Sequence, residues 1–265
     1  MQQGQFASPQ GYIDQLARRR DELRVLDAGC GGKLYFELPP HAKLTGIDIS
    51  PESAGRNKRI DEIIIGDVQS YPLPRKSFDV IICCDVLEHL PRPELALRSL
   101  FEALDDDGIV VLELPNVLSL KGLVTKLTPH RFHVWVLRTF LNYQNAGKPG
   151  FAPFPTFLRS SIAPRRLLEF CVAHGMKPAH VDVYEGPAIT QLRQRSPMAF
   201  RLYTLAVRTL NAIALGRHDF GLSDVSVVLR REPRPTMATR PAPAAAFVGE
   251  SWDTKKAQHG ASLPP

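Results

Sequence analysis

At 265 residues, with 44% hydrophobic composition and a mean hydropathy of −0.13, the chain can bury the core of one elaborated domain, and it carries no apolar run approaching the roughly 20 residues that cross a bilayer. The formal net charge of +6 hides an asymmetry: residues 1–115 carry 13 Lys/Arg against 19 Asp/Glu, residues 116–231 carry 16 against 5, and residues 232–265 carry 4 against 3. Cys30, Cys83, Cys84 and Cys171 show no paired metal-type spacing; with no secretory signal, reduced thiols in a cytoplasm are expected.

Residues 1–20 are polar and read as an N-terminal extension, disordered at first and then a short helix over 11–20 that ends in Arg18-Arg19-Arg20. Strands are predicted near 24–28, 43–48, 62–66, 79–84 and 108–114, separated by helical stretches. That alternation implies an α/β fold with a doubly wound, mostly parallel sheet. The helix after the glycine run at 29–32 is expected to be clipped, because Pro39-Pro40 stop it after little more than one turn. Helix 93–104 has an apolar stripe of Leu95, Leu97, Leu100, Phe101 and Leu104. Residues 117–162 interrupt this regularity. From Val117 to Phe140 they are apolar with basic residues interleaved, and 142–161, rich in Gly, Pro and Phe, read as a long loop, which is uncommon inside a compact domain unless functional. Regularity returns with Pro164 opening helix 165–174, the Gly175 stop, a strand near 178–184, helix 197–215 and a last strand over 223–230. Helix 197–215 has a wide apolar face beside a narrow polar stripe of Arg201, Thr204 and Arg208, and is expected to pack against the sheet. The Pro- and Ala-rich residues 232–265 have little to bury and are expected to be a disordered tail.

The most informative segment is Val25-Leu26-Asp27-Ala28-Gly29-Cys30-Gly31-Gly32, a buried strand running into a glycine turn. Glycine there admits backbone angles closed to other residues and lets a ligand lie against bare main chain. Nineteen residues past Gly29 comes Asp48, an acid ending the next strand and placed to accept hydrogen bonds from a ribose diol. A nicotinamide-dehydrogenase fingerprint would need Gly or Ala where Leu34 stands. Further on come Ile64-Ile65-Gly66-Asp67-Val68, then Ser77 to Leu90 with Cys84-Asp85-Val86-Leu87-Glu88-His89, then Asp107-Gly108 leading to Pro115-Asn116. In this order, over roughly residues 22 to 116, the chain resembles the class I S-adenosylmethionine (SAM)-dependent methyltransferases, whose first motif is typically Asp-x-Gly-Cys-Gly-x-Gly.

The resemblance implies SAM as cofactor and a Rossmann-like sheet that is mostly parallel and ends in an antiparallel hairpin strand. Residues 21–116 would be the SAM-binding core, 117–162 a lid over the substrate and 163–231 the completion of the sheet. Asp27, Gly29, Cys30 and Gly31 would cradle the methionine end, Asp48 and Ile49 the ribose, and Asp67 with Val68 the adenine, while Cys84 and Asp85 close the pocket beside the sulfonium. Lys33 departs from the pattern, standing where a third glycine is usual and where a helix dipole would disfavour a cation.

Methyl transfer from SAM is a displacement by the substrate, so the protein must align the nucleophile and sometimes remove its proton. His89, His130 and His133 are the candidate bases, since histidine titrates near neutrality. Asp85-x-x-Glu88-His89 also resembles the acid-x-x-Glu-His motif with which ubiquinone-pathway and small-RNA methyltransferases hold a divalent ion, with His130 or His133 as the later ligand. The same run occurs in metal-independent relatives, and no metal site is assigned. Trp135, Phe140, Tyr143, Phe151, Phe154 and Phe157 are candidates to line an acceptor pocket.

The expected function is O-methylation of a small anionic or lipid-linked metabolite, such as a glycan, quinone-like or secondary-metabolite precursor. The basic half of the chain would meet it, with peripheral contact to the inner face of a membrane. An RNA methyltransferase and a non-catalytic SAM-fold binding protein are the alternatives. Nothing points to DNA, no RNA-binding module is recognisable, and the oligomeric state is left open.

Overall fold

Seven strands form a single sheet in the order β3-β2-β1-β4-β5-β7-β6 in this computed structural model, which describes residues 8–140, 142–148, 151 and 153–231. The expectations for residues 1–7 and for the 232–265 tail fall outside those residues. The strands are β1 (Leu23–Ala28), β2 (Ala42–Asp48), β3 (Glu62–Ile65), β4 (Phe78–Cys84), β5 (Leu104–Pro115), β6 (Met176–Tyr184) and β7 (Asp224–Arg231). The first five pair in parallel, and β7 runs antiparallel between β5 and β6. Continuous apolar runs such as Val80 to Cys84 are buried throughout, as befits strands covered on both faces. From β1 the chain moves outward through β2 and β3, then returns to place β4 on β1's other side. The carboxyl ends of β1 and β4 therefore flank a topological switch point, where open α/β sheets bind ligands. At the opposite ends, the Arg24 guanidinium donates to both oxygens of buried Asp79 (3.1 and 2.8 Å), tying β1 to β4 away from that crevice.

Each face of the sheet has its own apolar layer. One packs α1 (Pro9–Ala17), through Ile13 and Ala17, on Leu23, Val25, Val80, Ile82, Ile109, Val111 and Val228. The other packs α3 (Pro93–Ala103) and α6 (Pro164–Ala173), through Leu97, Leu100, Leu167 and Cys171, on Leu26, Ile81, Val110, Leu112 and Val227. Between β2 and β3 there is only the short α2 (Pro51–Ala54), capped by the Ser50 hydroxyl.

Two expectations are corrected, for the helix after the glycine turn and for helix 197–215, and the start of 117–162 proves helical. No helix follows the glycine turn: residues 30–41 are irregular, and Leu34, Phe36 and Leu38 lean on the sheet at every second position, a period that suits extended chain. Within 117–162, α4 (Leu120–Leu127) and α5 (His130–Phe140) form before the irregular stretch. Helix 197–215 is observed as α8 (Pro197–Ile213), which buries no residue and does not pack on the sheet. Both sheet faces are already covered by α1, α3 and α6, and α8 packs instead on α7 (Pro187–Arg195), a helix the sequence reading did not separate.

Candidate active site

The glycine turn begins where β1 ends. Gly29 (φ +79°) and Gly31 (φ +42°) sit in the left-handed region, and the amides of Gly29 and Cys30 donate to the Ile47 carbonyl at 2.7 and 3.2 Å, folding the turn over the end of β2. A Cβ on Gly29 would lie 2.2 Å from Cγ2 of Val86, so glycine is required there by space as well as by φ. Asp48 is held by two main-chain donors: Gly31 N–H gives to Oδ2 at 3.0 Å and Ser50 N–H gives to Oδ1 at 2.8 Å. A carboxylate oxygen accepts more than one bond, so both keep capacity for a ligand. Asp67 is gripped in the same way by the amide N–H of Gln69 at 2.9 Å and by the Gln69 side chain. Between the two acids lie Val68, buried, and Ile49, an apolar side chain left 73% exposed.

These residues form one wall of a cavity of about 1360 Å³. Gly29, Cys30, Gly31, Asp48, Ile49, Asp67, Val68, Cys84, Asp85, His89 and His133, all read from the sequence, line it. The remaining walls come from α4 and α5 (Lys121, Val124, Phe132, Val136), from 153–157, and from α7 and α8 (Ile189, Leu192, Leu202, Tyr203). Phe154 and Phe157 take part as expected and Phe132 joins them, but Trp135, Tyr143 and Phe151 do not; the Phe140 side chain lies outside the described residues. Phe151 instead receives the Arg56 guanidinium 4.5 Å above its ring.

Two other site residues are placed differently from the sequence reading. Asp27 is buried beneath the turn rather than in the cavity wall, and its Oδ2 has no partner. Burial, with Asp48 adding, pushes its carboxyl up to about 7. His130 also stands behind the wall, its ring 6.4 Å from that of His133 and its buried Nδ1 unpartnered. The Cys30 thiol is pushed up to about 12 by burial, and that of Cys84 well above its ordinary value for the same reason, so neither offers a thiolate.

At the end of β4, Asp85 adopts φ +54° and accepts the Tyr35 hydroxyl at 2.7 Å. Lys33 Nζ stands 4.7 Å from the Tyr35 ring centroid, a cation–π contact. No helix starts at Lys33, so its charge meets no dipole. Glu88 lines the cavity yet is nearly inaccessible; its Oε2 has no partner, and burial, then Asp85, pushes the carboxyl up to about 8. His89 Nδ1 donates to the Pro155 carbonyl at 2.8 Å, which leaves Nε2 as the acceptor nitrogen, and burial holds the ring below the ordinary histidine value. Thr128 spends its hydroxyl proton on the Val124 carbonyl (2.6 Å), so His133 Nε2 must donate to Thr128 Oγ1 (2.7 Å). The amides of Phe157 and Leu158 donate to the Glu88 carbonyl at 2.8 and 3.1 Å, fastening 153–158 to the loop after β4.

Among the described residues no three His, Cys, Asp or Glu side chains gather as a metal-holding group. Asp85, Glu88 and His89 therefore do not gather with His130 or His133 in the way the acid-x-x-Glu-His ion site requires. Ser50, Gln69, Tyr35 and Phe132 were missed from sequence, and Glu88 was read only as part of that motif. Ser50 had a signal, since Ser-Pro-Glu opens a helix, and Gln69 had a weaker one, standing two residues past the acid whose side chain it grips; Tyr35 acts through Asp85, 50 residues on, and Phe132 by orientation alone.

Against known proteins, a family model described as a methyltransferase domain matches residues 1–195. Curated relatives include the mitochondrial ubiquinone biosynthesis O-methyltransferase of Schizosaccharomyces pombe, 35% identical over 114 residues (38% of this chain, 41% of that protein). Another is the ubiquinone biosynthesis O-methyltransferase of Histophilus somni, 30% identical over 119 residues (40% and 50%). The chain thus spans about half the length, or less, of these relatives. Among solved structures, Haemonchus contortus phosphoethanolamine N-methyltransferase 2 in complex with S-adenosyl-L-methionine shares the fold with a TM-score of 0.50 and 14% identity, covering 83% of this chain and 52% of that one. With its matched span of 195 residues and its β3-β2-β1-β4-β5-β7-β6 sheet, the chain belongs to the methyltransferase domain family and has the Rossmann-like fold of class I SAM-dependent methyltransferases.

Proposed function

We propose that this chain transfers a methyl group from SAM to a hydroxyl of a small acceptor that is quinone-like or otherwise anionic or lipid-linked. The observation that carries the reading is the alignment of the glycine turn, Asp48, Asp67–Val68 and Cys84–Asp85 along one cavity wall. The residues fit the cofactor's chemistry. Main chain at Gly29 and Gly31 offers close approach to the methionine end, Asp48 has acceptor capacity for a diol, and Ile49 with Val68 and Asp67 makes an apolar slot with one polar anchor. When bound, SAM supplies an electrophilic methyl on a cationic sulfonium. The chain's own task is then to exclude water, hold the acceptor and take its proton.

His89 is the group we assign to that proton, at Nε2. Its tautomer is set by the Pro155 carbonyl, and its lowered pKa keeps it neutral near pH 7. Phe132, Phe154 and Phe157 supply apolar walls for an acceptor ring. The ubiquinone O-methyltransferases among the relatives support the quinone-like class.

Asp48→Ala is expected to weaken SAM binding by at least ~1.5 kcal/mol, the scale of lost hydrogen bonds to a charged acceptor. Unchanged calorimetric affinity in a folded variant would remove Asp48 from the site. His89→Gln is expected to lower kcat by ~10²-fold or more, the range for a lost general base, while leaving SAM affinity intact. In the wild type, rate should climb with pH through a value below the ordinary histidine pKa, and the variant should lose that limb. A variant that keeps both rate and limb shifts the base to His133. The function itself is tested by transfer of labelled methyl from SAM to hydroquinone and catechol acceptors, with tRNA alongside; label in tRNA alone would sink the small-acceptor reading.

A further inference from the structure

Helix α8 presents Met198, Leu202, Leu205 and Ile213 to solvent, each more than 60% exposed, with Leu215 beyond its end equally open. Their spacing puts the four on one stripe of the helix, and exposed Arg201 and Arg208 run along one edge of it. From Gly186 to His218 the chain has five arginines and no Asp or Glu. Arg193 is spent on Glu185, at 2.5 Å. Leu202 belongs to the stripe and also to the cavity wall, so the stripe passes the cavity mouth.

We propose that this stripe docks on an anionic lipid surface. An apolar row bordered by arginines matches the two layers such a surface offers, acyl chains below and phosphate charge above. A second copy of the chain would bring arginine rows together, and the acids nearest them, Glu185 and Asp219, are already engaged, by Arg193 and by Asn211 with the Gly221 amide. A nucleic acid would use the arginines but has nothing to bury four aliphatic side chains, since single strands are held by stacking on aromatic rings. No helix among the described residues is long and apolar enough to cross a membrane, so α8 lies on the surface rather than through it. The docked orientation sets the cavity mouth beside the bilayer. Docking stands independently of the proposed methylation, because its readout needs no acceptor and no SAM.

The test is co-sedimentation of the full chain with vesicles of phosphatidylcholine alone or mixed with phosphatidylglycerol, at low and high salt. Retention is expected on phosphatidylglycerol vesicles only, with release as salt screens the arginines. The triple variant Met198→Glu/Leu205→Glu/Ile213→Glu should lower the partition coefficient at least about tenfold, since several buried aliphatic side chains are lost. Arg201→Glu/Arg208→Glu should do the same, with melting temperature and SAM affinity unchanged. Should the triple variant unfold, Leu205→Trp reads the same contact by a blue shift of its fluorescence on adding anionic vesicles. The proposal is overturned by absence of retention, by equal retention of the triple variant, or by a Leu205→Trp emission that does not move. A dimer in vesicle-free buffer that the triple variant dissolves gives the stripe to a second copy. Capture of tRNA that needs the arginines but not the aliphatic row gives it to nucleic acid.

Discussion

Gly29→Ala is expected to destabilise the fold by about 3 kcal/mol and to abolish measurable SAM binding, two effects with one geometric origin. The added Cβ pays for a φ of +79°, about 1–2 kcal/mol for an L-residue. It also lands 2.2 Å from Val86 Cγ2, and overpacking of that kind typically adds about 1–3 kcal/mol. Relief requires the turn to lift from the Ile47 carbonyl or the Val86 segment to retreat, and either movement disturbs a cavity wall. Val86→Ala removes the methyl responsible for the clash but leaves the backbone strain. Combining the two should therefore recover roughly 1–2 kcal/mol relative to additivity. Urea unfolding of the four proteins measures this; strict additivity would mean that the turn does not press on Val86.

Stability of the SAM-free protein is expected to fall by about 2 kcal/mol between pH 7 and 9. Folding pushes Asp27 up to about 7 from 3.8 and Glu88 up to about 8 from 4.5, burial being the leading cause in each. Above their unfolded values the native protein holds protons that the unfolded chain has already released, so stability is intact below about pH 4. It declines as pH climbs to the folded values of about 7 and about 8 and levels off beyond them. His89 and His133, held low by burial, act in the opposite sense, but only around and below the ordinary histidine value, so the window above pH 7 separates the carboxyls from the histidines, and the thiols of Cys30, Cys83, Cys84 and Cys171, pushed up by burial, add to the decline only as pH nears their ordinary value of 9.0. Glu88→Gln should remove most of the slope between pH 7 and 8 and stabilise the protein at pH 9 by on the order of 5 kcal/mol, given ~1.4 kcal/mol per unit of pKa shift. Urea unfolding at pH 7, 8 and 9 decides it. A wild-type stability that rises over this window, or a Glu88→Gln protein with the wild-type slope, would show that Glu88 ionises freely.

The sequence by itself determined the α/β class, the strands and the turn at 29–31. Strands buried on both faces are spelled as unbroken apolar runs, and the left-handed angles of the turn require glycine. It also placed Asp48 and Asp67, because an acid at a strand's carboxyl end has few other reasons to be there. Only the tertiary structure decided which ring nitrogen of each cavity histidine is engaged. His89 owes its tautomer to a carbonyl 66 residues away, and His130 does not line the cavity that His133 reaches. The same holds for Asp27, whose motif position says nothing of whether it lies in the wall or beneath it, and for Lys33, whose partner Tyr35 is itself held by Asp85, 50 residues on. Apolar spacing announced that α8 has a face to bury, but not that α1, α3 and α6 would already cover the sheet. Periodicity records how much of an element leaves water; what it leaves water against is settled by groups far apart in the chain, and those write no local pattern.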